Sequence, residues 1–504
     1  MIAKIQSAIP CGFEGKLVEV EGDMNRGLPS FNIVGMANKT VNEAKERVRS
    51  AIVNSGFNFP DKKVTINLAP AELLKDGAYL DLPIALSVLI LSGQILMSDV
   101  RGKLFVGELS LTGEIRPVRG IINIVEAAKA AGCNEIYVPM KNLAQASLVD
   151  DITIYGLDTL QGLYLALKGQ VAPKIADNAD YCRKTLRNDS TGPFLDQVRG
   201  QELAKRAIAI AIAGHHNILI SGPPGAGKTL LAKVAVNLLP ELSTAEMVEI
   251  TKIHSIAGLK MNEVVVDRPF RNPHHTASPT AIIGGGPGAG PGEISLAHKG
   301  ILFLDEIPEF PRSVLEALRQ PLEDKEIVIS RAMRKSTYPA DFMLIATMNP
   351  CPCGYLGDPS HECKCTESQI QLYQKKISGP LFDRIDMNID VEKVDNNDLR
   401  KVLPNESTEH IVVKNTITDA VARQRARYKR DGVYNSSLSS FEVSKIIKLD
   451  PPAEQLLARA SEHLNLSARS YFKTIKVAQT IADLEKSDVV LAKHLAEALT
   501  FRKR

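Results

Sequence analysis

Tryptophan is absent from the 504 residues, and aromatic side chains make up only 5% of them. Proteins that hold single-stranded nucleic acid by stacking its bases rely on such rings, so any grip on a polyanion would here fall to charged side chains. A surplus of either charge is missing too. The 61 Lys and Arg against 58 Asp and Glu leave +3, which excludes a histone-like polybasic protein but leaves room for a local basic channel. Cysteine is sparse and odd in number, seven in all. That is too few for a secreted disulfide scaffold and fits thiols kept reduced. No apolar run reaches the ~20 residues that cross a bilayer. The longest, Leu82 to Met97, is bounded by Asp81 and Asp99 and interrupted by Pro83 and Gly93, and predicts a buried helix. The N-terminal residues show neither the apolar segment nor the small-residue cleavage site of a signal peptide. A soluble, cytoplasmic chain with no membrane partner is expected.

What is present is ordinary in bulk and specific in detail. Hydrophobic residues at 44% and charged residues at 24% exclude wholesale disorder, and the length predicts roughly three domains at ~150 residues each. Residues 1–170 alternate strand-like and helix-like patterns: strands at Lys16–Val20, Val64–Asn67, Leu104–Gly107 and Glu135–Val138, and helices at Thr40–Asn54 and Ile121–Ala131. Residues 171–193 are polar and aperiodic, a linker. Over 194–392, short buried strands at His216–Ser221, Ile301–Leu304, Phe342–Thr347 and Met387–Val391 predict a mostly parallel sheet. Residues 393–504 read as almost entirely helical.

The strongest signal is Gly222-Pro223-Pro224-Gly225-Ala226-Gly227-Lys228-Thr229, a complete GxxxxGK(S/T) loop between an apolar strand and a helix, the context that the motif requires. Its backbone N–H groups would cradle ATP phosphates, Lys228 would reach the β- and γ-phosphates, and the Thr229 hydroxyl would ligate Mg²⁺. Farther on, Ile301-Leu-Phe-Leu304 runs into Asp305 and Glu306. Asp305 at the strand end can hold Mg²⁺ through water, and Glu306 can polarise an attacking water. Asn349, ending the strand Phe342–Met348, is placed to orient that water. Arg384 in GPLFDRID and Arg469 in LSARSY complete the set.

This order of residues resembles an AAA+ ATPase. The resemblance implies an α/β fold, with an AAA+ P-loop ATPase core and a helical lid, in which Arg384 is an arginine finger reaching a neighbour's γ-phosphate and Arg469 is a second sensor in the lid. It further implies a homo-oligomer, a hexamer. Between the phosphate loop and the acidic strand, Arg268-Pro-Phe-Arg271-Asn-Pro-His274-His275 and the glycine clusters Gly284–Gly286 and Pro291–Glu293 are similar to the helix-2 insertion of the magnesium-chelatase and MCM-like branch. Glycines flanked by prolines predict a projecting loop. The His pair lacks a third ligand at usable spacing, so packing is its default. Glu326–Tyr338 predicts a hairpin whose turn carries Arg331, Arg334 and Lys335. In this branch the corresponding hairpin touches nucleic acid, and such cations repeated around a ring would track phosphates; a solvated hairpin tip is the plainer reading.

Cys351-Pro-Cys353 and Cys363-Lys-Cys365 match in number the ligands of a structural tetrahedral Zn²⁺ site, although the CxC spacing is tighter than usual. His361 is a possible replacement ligand, and redox-active or simply reduced thiols remain the other reading. Lys75-Asp76-Gly77-Ala78-Tyr79 and Gly107–Gly120 resemble the Lon proteolytic domain, so the N-terminal part is expected to be a Lon-protease-like (ChlI-type) α+β domain. The nucleophile position falls on Tyr79 and the lysine position near Ile122, so no Ser–Lys dyad can form and peptidase activity is not expected. Arg423, Arg427 and Arg430 fall on one helical face, beside Arg425 and Lys429, a second place where phosphate could be touched or simply a solvated face.

From end to end the chain resembles the YifB/ComM group of magnesium-chelatase-like AAA+ ATPases, with the RPFRNPHH block and the cysteine pairs as carriers. That resemblance implies a hexameric, ATP-dependent helicase on single-stranded or branched DNA that promotes branch migration in recombination or natural transformation, with recombination proteins as possible partners. The alternatives are a chelatase-like motor remodelling a protein partner and a nucleotide-gated recombination scaffold.

Overall fold

The computed structural model describes residues 2–35, 39–75, 77–176, 192–286, 289–331, 334–357, 361–394 and 408–502, without the side chains of 39–42, 331 and 334. Most of the expected linker, Asp76 of the Lon-like motif and the first part of the expected lid lie outside the described residues.

The N-terminal part is built on an eight-stranded mixed sheet. Its strands are β1 (Ile2–Cys11), β2 (Glu14–Asn25), β3 (Ser30–Val34), β4 (Lys63–Ala69) and β5 (Lys103–Phe105), then, after the short hairpin β6 (Glu108–Leu109) and β7 (Ile115–Arg116), β8 (Glu135–Pro139), β9 (Thr153–Leu157) and β10 (Lys174–Ile175). The order is β10-β9-β8-β5-β1-β2-β4-β3. Under it lies a helix at Asp81–Leu91 in which every residue is buried. The apolar run expected over Leu82–Met97 thus breaks at Ser92-Gly93, where Gly93 takes φ +77°, the left-handed conformation that glycine adopts without steric cost. Met97 begins a separate short helix, Met97–Val100.

The second sheet contains β11 (Ile218–Ser221), β12 (Phe270–Arg271), β15 (Ile301–Leu304), β18 (Met343–Met348) and β19 (Met387–Asp390), all parallel, in the order β12-β15-β18-β11-β19. β15 and β18 are buried at every residue, as expected of central strands covered on both faces. Between β12 and β15 the chain forms a short helix at Pro279–Ile283 and a hairpin, β13 (Gly284–Gly285) and β14 (Gly290–Pro291). The expectation of a projecting loop is corrected here: Ile282, Ala289 and Ile294 are buried in one cluster with Ile329 and Tyr338, and the Tyr338 hydroxyl donates to the Ala289 carbonyl at 2.9 Å. A Cβ on Gly284 would lie 2.5 Å from Ile329, so the two hairpins pack together.

Among the described residues, five α-helices follow β19, at Thr408–Tyr428, Ser440–Ile446, Pro451–His463, Ala468–Leu484 and Ala492–Thr500. They share one apolar cluster with the core helix Glu202–Gly214: Ile417, Ile475, Ile481 and Phe501 pack with Ile208, Ile212 and Met387. Three of the cations grouped over 421–430 have acidic partners, while Arg425 and Lys429 are exposed. Arg423 pairs with Asp488, Arg427 with the fully buried Asp483, and Arg430 with Glu442. Asp483 also accepts from Asn435 at 3.0 Å and Gln479 at 3.1 Å. Asp483→Ala would strand the Arg427 guanidinium, and is expected to destabilise the helical part by about 3–5 kcal/mol, read as a lowered melting temperature.

The N-terminal part is fixed to the second sheet's layer through buried polar groups. Ser255, on the helix Thr244–Ala257, accepts from the Gly120 N–H at 3.0 Å and donates to Gln145. Gln145 donates to the Lys260 and Glu263 carbonyls at 2.8 Å, and Asn142 to Met261 at 3.0 Å. Lys252 lies 4.2 Å over the Phe13 ring and pairs with Glu126 at 2.5 Å.

Candidate functional site

β11, β15 and β18 all point their carboxyl ends to one edge of the parallel sheet, where ligands of open α/β sheets bind. The phosphate loop leaves β11 there. Gly222 sits so close to the segment just after β19 that a Cβ would lie 2.4 Å from the Val391 carbonyl oxygen, and Gly227 caps the start of the helix Lys228–Leu238 at φ +80°. The loop therefore needs glycine at Gly222 for space and at Gly227 for backbone conformation.

Lys228 is buried and donates to the carbonyls of Gly222 and Pro223 and, at 3.0 Å, to Asn349 Oδ1. Burial lowers its pKa from the usual lysine value, and Asp305 and Glu306 act against that shift. Asn349 bridges outward, its Nδ2 donating to Glu306 Oε1 at 3.4 Å. The Thr229 hydroxyl donates to Asp305 Oδ2 at 3.3 Å. A hydroxyl and a carboxylate are the hard oxygen donors that Mg²⁺ prefers alongside phosphate and water, so Thr229 and Asp305 fit that ion. The structure thus brings Lys228, Thr229, Asp305, Glu306 and Asn349 into one site, as the spacing predicts.

A residue that the sequence reading missed joins them. Thr347, on β18 and fully buried, donates to Asp305 Oδ1 at 2.5 Å and accepts from the Glu306 N–H at 3.0 Å. Its only signal in the sequence is a hydroxyl inside the apolar strand MLIATM.

The two arginines stand elsewhere. Arg384 donates to the Arg319 carbonyl at 3.1 Å and the Pro380 carbonyl at 2.6 Å, and also bonds Glu323. Arg469, in the first turn of the helix Ala468–Leu484, meets the same Glu323 carboxylate at 3.1 Å. Burial raises the Glu323 carboxyl, but both guanidiniums outweigh it and hold it below the usual range. Arg384 and Arg469 line a cavity of about 410 Å³ together with Lys325, Lys473 and Lys476, and no residue of the phosphate loop lines it. Glu323 also escaped the sequence reading; in QPLEDKE nothing separates it from its acidic neighbours.

The four cysteines converge. Their sulfur atoms all lie within 4.8 Å of one another, with Cys351 to Cys353 at 3.4 Å, Cys351 to Cys363 at 3.7 Å and Cys353 to Cys363 at 3.6 Å. Zn–S bonds of ~2.3 Å in a tetrahedron set sulfur–sulfur edges of roughly 3.8 Å, so the sites fit zinc. The His361 ring instead stacks on Tyr355 at 4.9 Å. The loop touches the nucleotide site directly: a Cβ on Gly354 would lie 2.9 Å from Pro224.

The basic hairpin forms as β16 (Glu326–Arg331) and β17 (Arg334–Pro339), antiparallel, with Arg331 opposite Arg334. Lys335 is exposed; the side chains of Arg331 and Arg334 lie outside those described. A Cβ on Gly12, in the β1–β2 turn, would lie 3.0 Å from Ser336 Oγ, so the N-terminal part abuts this hairpin. The His274 ring lies tilted against that of His275, with centroids 4.2 Å apart, and His274 bonds Thr276 at 2.8 Å. In the Lon-like segment, buried Lys75 donates to the Pro70 carbonyl, Ile122 is buried, and the Ser110 hydroxyl bonds Thr112 at 2.8 Å. Asp81 pairs with Arg47 at 2.9 Å, and burial pushes its carboxyl up to about 6.

Sequence comparison places these features in a family. The models described as magnesium chelatase, subunit ChlI, as subunit ChlI of Mg-chelatase, and as the subunit ChlI C-terminal region match residues 194–399, 20–142 and 405–502. Competence protein ComM of Haemophilus influenzae is 41% identical over 506 residues, covering 99% of this chain and 97% of its own. The chain belongs to the YifB/ComM family of magnesium-chelatase-like AAA+ proteins. Its Escherichia coli relative YifB is 42% identical over 494 residues, 97% of this chain and 95% of that one. The similarity to the magnesium-chelatase 67 kDa subunit of Chlorobaculum parvum is narrower, 26% over 161 residues, 31% of this chain and 23% of the subunit. The family has an AAA+ fold with an N-terminal ChlI domain, and the parallel sheet carrying Lys228 and Asp305 is that AAA+ core. Among the described residues no helix is long and apolar enough to cross a membrane.

Proposed function

We propose that this YifB/ComM-family protein is a ring-forming ATPase, a hexamer, that moves branched or single-stranded DNA during recombination or natural transformation. The observation that carries the reading is the separation of one catalytic set into two halves. Lys228, Asp305, Glu306 and Asn349 meet at one sheet edge, whereas Arg384 and Arg469 share Glu323 in a cavity that no phosphate-loop residue lines. Two guanidiniums converging on one carboxylate are arranged to receive one anion, and a ring would bring them to the γ-phosphate on a neighbour.

In each site Lys228 would leave the loop carbonyls for the β- and γ-phosphates, and Asn349 would place a water against Glu306, which accepts its proton. Thr229 and Asp305 would hold Mg²⁺, which when bound neutralises charge on the phosphates. The four cysteines would hold a structural zinc beside Pro224. The N-terminal domain acts without proteolysis, because Tyr79 and Ile122 stand where a Ser–Lys dyad is needed. The competence name of the Haemophilus relative and the hairpin carrying Arg331, Arg334 and Lys335 support DNA as the substrate, gripped by its phosphates.

Branch migration and strand displacement on synthetic three- and four-way junctions test this reading. The wild type should process junctions with DNA-stimulated ATP turnover, whereas Lys228→Ala should abolish both. Glu306→Gln should slow hydrolysis by about 10²–10⁴-fold while still binding ATP. Turnover indifferent to any DNA, with no junction processed, would leave a chelatase-like motor acting on a protein partner.

A further inference from the structure

Asp305 and Glu306 follow β15 where the register Leu304–Ala346 sets them beside the end of β18. The one hydroxyl of that strand belongs to Thr347, and it lies between the two acids with no exposed surface. Its hydrogen goes to Asp305 Oδ1 and its oxygen takes the Glu306 N–H. Thr347 also sits in the middle of the sheet, its backbone in register with Ile220 of β11, so the hydroxyl is carried on a rigid element. Glu306 adopts φ +52°, a left-handed conformation unusual for a side-chain-bearing residue. That turn lets Glu306 leave the strand direction and meet Asn349.

We infer that Thr347 is a positioning residue of the ATP site: one hydroxyl sets the rotation of the Asp305 carboxylate and fixes the backbone turn that aims Glu306. The inference rests on the nucleotide-site reading above and names a residue that reading does not use. A carboxylate rotates easily about its last torsion, which has broad minima. With Oδ1 held by Thr347, Oδ2 is the oxygen directed at Thr229, and the pair faces the position where Mg²⁺ would sit. Groups that orient a metal's carboxylate ligand through hydrogen bonds commonly matter as much as 10–100-fold in metal affinity or activity. Because the hydroxyl both donates and accepts, no other single group of β18 can replace it: the remaining five residues of MLIATM carry no hydroxyl.

Thr347→Val keeps the shape and β-branching and removes the hydroxyl; Thr347→Ser keeps the hydroxyl and removes a methyl. ATP binding is measured by calorimetry on the full chain, once with Mg²⁺ titrated and once in EDTA, with turnover measured in parallel. For Thr347→Val, the Mg²⁺ needed for half-maximal ATP binding should rise about 10–100-fold, kcat should fall, and ATP binding in EDTA should stay at the wild-type value. Thr347→Ser should return both the Mg²⁺ requirement and kcat towards wild type. An unchanged Mg²⁺ requirement in folded Thr347→Val, or a Thr347→Ser variant as impaired as Thr347→Val, would overturn the inference and reduce Thr347 to packing. Melting curves without nucleotide confirm that each variant is folded. A wild type that binds ATP with Mg²⁺ but never hydrolyses it would sink the ATPase reading alone, since the Mg²⁺ dependence of binding still decides the role of Thr347.

Discussion

Arg384→Ala is expected to lower ATP turnover by about 10³-fold or more, the scale on which arginine fingers act in related NTPases, while leaving ATP binding to the phosphate loop intact. The guanidinium lies in a cavity apart from its own Lys228, and in the proposed ring its target would be the site of another subunit. Mixing decides this. Arg384→Ala and Lys228→Ala should each be inactive alone, yet mixed rings should recover turnover at interfaces where an intact Lys228 faces an intact Arg384. Arg469→Ala should behave in the same way, because both side chains meet at Glu323. No recovery on mixing, with both variants assembled, would place the arginine in its own subunit's reaction. Glu323→Gln should have a smaller effect. The two guanidiniums would lose a competing carboxylate, and turnover should become less dependent on protein concentration as the ring is completed.

The second large effect is expected at the cysteine loop. Purified protein should contain one zinc per chain, and Cys351→Ser/Cys353→Ser should contain none. Loss of the metal would free the loop that presses Gly354 against Pro224 and holds the segment just after Asn349. ATP affinity should fall with the zinc content, although no cysteine is expected to touch nucleotide. Removing the ion from the wild type with a chelator at neutral pH should reproduce the double variant, and adding zinc back should reverse it. Wild-type protein with zinc no higher than background would end the metal reading and return the four thiols to the redox alternative.

Local constraints made much of this legible without a structure. The strand–loop–helix around Lys228 is written in consecutive residues, because a phosphate cradle needs glycines, a helix start and a lysine at fixed offsets. The acidic pair after Ile301–Leu304 and the asparagine after β18 are likewise strand ends, which apolar runs mark well. β1 was not legible in the same way. Its burial alternates from residue to residue over Ile2–Ser7, and its exposed positions carry Ile2, Lys4 and Gln6, a pattern too mixed to separate from an irregular N-terminus. The cations of Arg423–Arg430 looked free because their partners, Asp488, Asp483 and Glu442, lie 12 to 65 residues away. Helical spacing can say which cations share a face, but not what another helix brings against it.

The sequence by itself therefore determined the absences and the local chemistry. The absence of tryptophan weakens a base-stacking reading and a net charge of +3 excludes a histone-like polybasic protein, while the phosphate loop, acidic strand and cysteine pairs stand out as short motifs. Tertiary structure alone decided which distant residues share an atom. Thr347 lies between Asp305 and Glu306, Arg384 and Arg469 meet on Glu323, and Gly354 presses on Pro224. The physical reason is that hydrogen bonds and close packing act over a few ångströms in space, whatever the distance along the chain. Sequence spacing carries that information only within a single turn, strand or loop.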